Sequence, residues 1–315
     1  MGMLDGKVAI VTGGGRGIGR GVAIGLAAAG ASVVVDDPGV NLDGTSPNKS
    51  PADDVVAEIE ANGGKAVSSY ESVTTMEGGE KIIQTALDKF GKLDILATPA
   101  GILRDRMVFN MAEEEWDAVI QTHLKGHFTM IKPASVIFRQ QRSGRIITFT
   151  SGAGLSGNTG QVNYSAAKGG IAGLTRTAAL DLGRYGVTVN CIAPAAMTRM
   201  TQGVPDSARE KRQQQGLAQR SQTMRMLGDA DDIAPMAVYL ASDDAWWING
   251  HIFMVSGGTI GWYPIPQPEK RMEKDGRWNP EEIASQIKPA LFEPDFISRG
   301  VPQPEQEQAA PASGS

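Results

Sequence analysis

The chain has 315 residues, 41% of them hydrophobic and 21% charged, a composition that supports a sizeable core in a soluble globular protein. A formal charge of −5 with no dense Lys/Arg cluster argues against a nucleic-acid partner, and no run approaches the roughly 18 consecutive apolar residues of a membrane span. The single cysteine, Cys191, excludes a disulfide framework and fits a reducing compartment.

The first strand-like run, residues 8–11, leads straight into Thr12-Gly13-Gly14-Gly15-Arg16-Gly17-Ile18-Gly19, and a helix follows near 18–29. This early strand leaves no room for a cleavable signal, and Ala312-Ser313-Gly314-Ser315 does not read as a peroxisomal or ER-retention address, so the expected location is the cytoplasm. Glycines after a strand let the backbone turn sharply and approach a pyrophosphate seated at the helix N-terminus. Glycine also serves ordinary tight turns, but the strand before and the helix after favour dinucleotide binding, with Gly13, Arg16, Gly17, Ile18 and Gly19 as contacts. The second run, 32–35, ends in Asp36-Asp37, about 20 residues past the glycines, where a carboxylate can accept from ribose hydroxyls and repels a 2′-phosphate. The alternative for this acid pair is a solvated strand end. Arg16 pulls the other way, because a guanidinium could pair with that phosphate. Two carboxylates against one arginine make NAD the expected cofactor ahead of NADP.

A Gly/Pro/Asn/Ser-rich loop at 38–51 is longer than usual for such connections. Then come a helix near 50–62, a weak strand at 65–67, a helix near 78–90, a strand at 93–97 and a long helix near 113–140. Strands at 145–149, 187–192 and 252–255 alternate with helices near 164–185 and 231–241. Near-continuous apolar strands separated by helices predict a doubly wound parallel sheet of about seven strands, covered on both faces. The polar stretch 198–227 reads either as a lid over the substrate or as a solvated helix pair. Residues 1–262 form the expected main domain and 263–301 an extension packed on it, with one amphipathic helix at 280–287; 302–315 reads as a disordered tail.

The strand at 145–149 runs into Thr150-Ser151-Gly152, and thirteen residues after Ser151 comes Tyr164-Ser165-Ala166-Ala167-Lys168. Tyr164 and Lys168, four apart, share one helix face. A free phenol has a pKa of about 10, too high for a base at neutral pH, and a nearby ammonium and the positive nicotinamide of an oxidised cofactor both lower it. Ser151 could then hold an alcohol oxygen while Tyr164 removes its proton and hydride leaves to a nicotinamide. A nucleophilic-serine reading competes poorly: Ser151 lies in no Gly-x-Ser-x-Gly elbow, and His123, His127 and His251 fit no triad order. No His/Cys/Asp spacing suggests a metal.

Together these motifs resemble the short-chain dehydrogenase/reductase family over residues 7 to about 260: the Thr12–Gly19 loop, the Ser151 strand end, Tyr164-x-x-x-Lys168 and Asn190-x-Ile192-Ala193-Pro194. The resemblance implies a Rossmann-type fold. It also implies cofactor contacts from Ser72, Val73, Ala100, Gly101, Tyr164, Lys168 and Pro194, and homodimers or homotetramers packed through the helices at 113–140 and 164–185. A narrower resemblance is to the (3R)-hydroxyacyl-CoA dehydrogenase units of peroxisomal type 2 multifunctional enzymes, on Gly101–Arg106, His123–Gly126, Gly160–Tyr164, Ile192–Ala196 and Arg199–Thr201. It implies an acyl-CoA substrate, with a bulky or steroid-derived acyl group among the candidates. Thr98-Pro99 departs from the family's Asn-Asn and removes a backbone donor from the cofactor wall. His123 stands where many relatives have a relay asparagine, and reads equally as a relay group or as a satisfied helix histidine. Two further readings stay open: an NADP-dependent ketoreductase or hydroxysteroid dehydrogenase, and an inactive cofactor-binding subunit.

Overall fold

Along β1 (Val8–Thr12) every residue is buried, and the side chains alternate between two apolar clusters. Ala9 and Val11 join the cluster containing Val22, Leu26 and Ile59, whereas Val8 and Ile10 join the one containing Ile82, Met130 and Phe138. In β2 (Ser32–Asp36), Val33 and Val35 face the first cluster and Val34 the second. A strand with both faces in apolar cores is what an unbroken run of β-branched residues builds. The computed structural model describes residues 2–45, 50–196, 228–293, 296 and 298.

The remaining strands are β3 (Lys65–Ser69), β4 (Ile95–Thr98), β5 (Gly144–Phe149), β6 (Val187–Pro194), β7 (Ile252–Ser256) and β8 (Thr259–Tyr263). They form one sheet in the order β3-β2-β1-β4-β5-β6-β7-β8. Pairing is parallel as far as β7 and antiparallel between β7 and β8. Strand order reverses between β1 and β4, which opens a crevice at their carboxyl ends. The expected seven strands are therefore joined by an eighth. Gly257-Gly258, with Gly257 at φ 52°, turns the chain back in two residues and pairs Ser256 with Thr259, a short hairpin of the kind that positive-φ glycine permits.

One face carries α1 (Gly17–Ala28), α2 (Ser50–Ala61) and α8 (Ala234–Ala241); the other carries α3 (Met76–Phe90), α5 (Gly126–Gln141) and α7 (Val162–Gly183). The helix expected across 113–140 is not uniform. It comprises α4 (Glu113–Ile120), a π turn at Gln121–Lys125, and α5. In that turn the Gly126 N–H reaches back five residues to the Gln121 carbonyl. Such single-turn insertions often accompany functional sites. A short helix, α6 (Gly152–Ser156), follows β5.

The chain divides into two compact units, Met1–Pro264 and Ile265–Ser315. The second contains α9 (Pro280–Leu291), which extends past the expected 280–287. Asn279 caps it by accepting from the Glu282 N–H at 2.8 Å, and Glu282 returns the bond to the Asn279 N–H at 3.0 Å, a capping box with proline at the first helical position. The stretch 198–227, including Arg199–Thr201, and the tail 302–315 fall outside the described residues.

Candidate active site

The crevice between β1 and β4 is lined by Gly13, Arg16, Gly17, Ile18, Gly19, Asp36, Asp37, Ser72, Val73, Ala100 and Gly101, together with Pro99 and the loop 38–44. The glycine loop is built for close backbone approach. Gly13 has φ 60°, and a Cβ there would stand 2.7 Å from the Ala100 Cα. A Cβ on Gly19 would stand 2.0 Å from the Gly13 carbonyl oxygen. These positions leave backbone N–H groups at the mouth of α1 facing a cradle that side chains would fill, the geometry that receives a pyrophosphate. The residues present thus fit a dinucleotide.

The two acids beyond β2 divide their roles. Asp37 accepts from the Gly15 N–H at 3.0 Å and the Gly39 N–H at 2.7 Å, so its carboxylate is fixed beside the glycine loop. Asp36 is fully buried; it accepts from the Ser69 hydroxyl at 2.8 Å, and its second oxygen has no partner. Burial holds the Asp36 carboxyl well above the usual carboxylate range, and the neighbouring Asp37 charge adds to this. Arg16 donates to the Val40 carbonyl at 3.2 Å, and the loop that supplies it is pinned by the bond from the Leu103 N–H to Leu42 O, at 2.8 Å.

Next to this crevice, β5 ends where the chemistry-bearing side chains gather. Ser151 caps α6, its hydroxyl accepting from the Ala153 N–H at 3.2 Å. Tyr164 and Lys168 stand one turn apart near the start of α7, with the Lys168 Nζ 5.6 Å from the Tyr164 ring centre. Lys168, 4% exposed, donates from Nζ to the Phe149 carbonyl at 2.7 Å, and the Thr150 hydroxyl donates to the Lys168 carbonyl at 2.6 Å. Buried Asn163 fixes the start of α7 by donating to the Arg104 carbonyl at 2.9 Å and the Glu115 carbonyl at 3.1 Å.

The expectation of a phenol depressed by Lys168 is not met by the protein's own groups. Burial pushes Tyr164 up to about 12, hydrogen bonding with Ser151 pulls it back in part, and the Asp105 charge raises it further. Burial also pushes Lys168 down to about 8. Desolvation penalises phenolate and ammonium alike, and it is the largest cause at both groups.

His123 lies in the π turn, 1% exposed, with Nε2 3.1 Å from the Ile102 N–H nitrogen and 2.8 Å from the Ile102 carbonyl. Its Nδ1 is buried without a partner, and its ring meets Tyr164 edge-on at 5.1 Å. Burial, with Lys168 nearby, holds it well below the ordinary histidine range. A Cβ on Gly101 would stand 2.2 Å from its Cε1, so that glycine makes room for the imidazole. Pro194 ends β6, whose Ile192 carbonyl accepts from the Thr150 N–H at 2.9 Å.

The glycine loop, Asp36, Asp37, Ser72, Val73, Ala100 and Gly101 thus share one crevice, while Ser151, Tyr164, Lys168 and His123 cluster beside it. Reading the sequence gave no role in the site to Asn163, Asp105 or His127. His127 follows His123 at helical i,i+4 spacing, a visible signal whose meaning depends on a partner strand. Among the described residues no group of three or more His, Cys, Asp or Glu is placed to hold a metal, and no helix is long and apolar enough to cross a membrane.

The sequence family described as enoyl-(acyl carrier protein) reductase matches residues 13–259. The chain is 39% identical over 303 residues to hydroxyacyl-CoA dehydrogenase ChsB1 of Mycobacterium tuberculosis, covering 90% of this chain and 88% of that one. It is 40% identical over 258 residues to peroxisomal multifunctional enzyme type 2 of Mus musculus, covering 82% of this chain but 32% of that protein. It is 41% identical over 259 residues to a 3-oxoacyl-(acyl-carrier-protein) reductase of Synechocystis, covering 82% of this chain and 98% of that one. A crystal structure of a short chain dehydrogenase from Mycobacterium avium superposes with a TM-score of 0.79 at 41% identity, covering 95% of this chain and all of that one.

Proposed function

Because the chain belongs to the short-chain dehydrogenase/reductase family of oxidoreductases, we propose that it oxidises the secondary alcohol of a 3-hydroxyacyl-CoA with NAD. The observation that carries this reading is the meeting of Ser151, Tyr164 and Lys168 beside a glycine cradle that ends at Asp37. The acyl-CoA class is supported by the similarity to ChsB1, which extends over 90% of this chain.

In this reading Ser151 donates a hydrogen bond to the substrate oxygen and orients it toward the Tyr164 phenol. Tyr164 takes the alcohol proton during oxidation and returns it during reduction. Lys168 holds its ammonium one turn away, anchored by the Phe149 carbonyl, and would bind the nicotinamide-ribose hydroxyls. Pro194 would flank the nicotinamide, and Ser72, Val73, Ala100 and Gly101 in the crevice lining would hold the rest of the cofactor. His123 offers its unpartnered Nδ1 to the proton path behind Tyr164. The nicotinamide, when bound, supplies the hydride acceptor. Asp37 would accept from the adenosine ribose, and with Arg16 committed to Val40 the cradle favours NAD.

The deciding experiment mixes purified protein with NAD and a panel of 3-hydroxyacyl-CoAs and follows NADH absorbance. Turnover is expected, and Tyr164→Phe should lower kcat by about 10²- to 10⁴-fold. No turnover with any alcohol of the panel sinks the reading. A second reading, an NADP-dependent 3-oxoacyl reductase, is favoured by the Arg16 guanidinium at the crevice and by the similarity to the Synechocystis reductase. Parallel assays with both cofactors separate the two: NAD preferred by the parent protein and lost in Asp37→Ala supports the first, NADPH preferred by the parent supports the second.

A further inference from the structure

His127 has no part in the chemistry described so far, yet it is 2% exposed and both of its ring nitrogens are committed. The Phe149 N–H donates to Nε2 at 3.4 Å. The ring proton must therefore sit on Nδ1, which donates to the His123 carbonyl at 2.6 Å. Phe149 is also the residue whose carbonyl receives the Lys168 ammonium at 2.7 Å. One peptide residue is thus gripped on its N–H by His127 and on its C=O by Lys168. The other end of the imidazole holds the carbonyl of His123, inside the π turn, and the His123 ring in turn packs edge-on against Tyr164.

We infer that His127 is a positioning residue that braces the π turn against the end of β5, fixing the Phe149 anchor of Lys168 and the His123 wall of Tyr164 together. This rests on the alcohol-oxidising reading above. A neutral ring with one donor and one acceptor is what the two backbone groups require, and a protonated ring would face the Phe149 N–H with a second N–H. Burial and the nearby Lys168 charge keep His127 uncharged, its pKa pushed down to about 3. An apolar replacement removes the link between the two segments, although the Phe149 N–H keeps its place in the β4–β5 ladder and the His123 carbonyl still accepts from the Gly126 N–H. The freed π turn and the end of β5 can then shift relative to each other. Movement of either displaces a group that touches the reacting pair, and small misplacements cost rate more than binding.

The test compares His127→Leu with His127→Gln, whose amide can donate and accept like the neutral ring. The expected result is a kcat about 10- to 100-fold lower in His127→Leu, with substrate KM and NADH affinity within about 2-fold of the parent, and most of the rate restored in His127→Gln. Undiminished kcat in His127→Leu overturns the inference, and so does an equal loss in both variants. If His127→Leu fails to fold, His127→Asn takes its place: its shorter amide cannot span both groups, so a rate matching that of His127→Gln overturns the inference. Nitrogen NMR of the imidazole gives an answer independent of turnover. A neutral Nδ1–H ring from about pH 5 to about pH 9 is expected, and a charged or Nε2–H ring overturns the inference. A parent protein without turnover counts against the activity reading alone.

Discussion

Lys168 carries a cost of burial that the proposed chemistry would explain. Its ammonium is 4% exposed with one backbone carbonyl for company, and burial pushes its pKa from 10.5 down to about 8. Below pH 8 both the folded and unfolded chains hold the proton, so the full penalty of burying the charge is present. Between about pH 8 and 10.5 the unfolded chain holds more protons than the folded one, so this penalty fades and stability rises with pH. Lys168→Met should therefore melt above the parent at pH 7 by calorimetry, with the gap closing as pH rises through that window, while turnover is lost. A variant that melts below the parent at pH 7 would contradict this account. Tyr164 has the opposite sign: its raised value keeps the phenol protonated at neutral pH, so alcohol oxidation should quicken as pH rises, while ketone reduction should hold until the phenol itself ionises.

At the scale of elements, the junction of β4 with the π turn leaves no room for a side chain at Gly101. Gly101→Ala would set a methyl group 2.2 Å from the His123 ring. It should destabilise the fold by about 1–3 kcal/mol, read as a shift in the denaturant midpoint, and should also slow turnover because the displaced imidazole borders Tyr164. The alternation of Val33, Val34 and Val35 between the two cores was legible in the sequence, since period-2 burial on both faces needs only β-branched residues in a row. The crevice followed from the strand–glycine–helix order at Thr12–Gly19. The π turn was not legible: residues 113–140 read as one uninterrupted helix, and nothing in their period marks the extra residue at Gln121–Lys125. Asp36 and Asp37 looked alike as a pair, and only the pairing of β2 with β3, which brings Ser69 to Asp36, distinguishes the buried acid from the one beside the glycine loop. The depressed phenol pKa was argued from the charges of Lys168 and the nicotinamide, and in the chain by itself burial acts in the opposite direction.

At the scale of the whole molecule, apolar side chains stand exposed on two helices of the same sheet face. Phe128 and Val136 on α5 are about half exposed, and Leu180 on α7 is 83% exposed. Exposed apolar surface on neighbouring helices marks a contact surface, and a symmetric homo-oligomer would use the same patch on both copies. The chain should elute as a dimer or tetramer in light scattering, and Leu180→Asp should shift it to a smaller species. An unchanged mass would place the subunit contact elsewhere.

The lone thiol has a use of its own. Cys191 is wholly buried in β6, burial pushes its pKa up, and Lys168 is near enough to affect it electrostatically. A buried, protonated sulfur does not react until the sheet around it opens. With no second cysteine to compete, an aromatic disulfide reagent would act as a stopwatch for that opening, one event per molecule. Saturating NADH should slow the labelling, because a ligand that binds only the closed form makes opening rarer. Labelling that keeps its pace with cofactor present would mean that the sheet beneath the active site opens independently of the crevice above it.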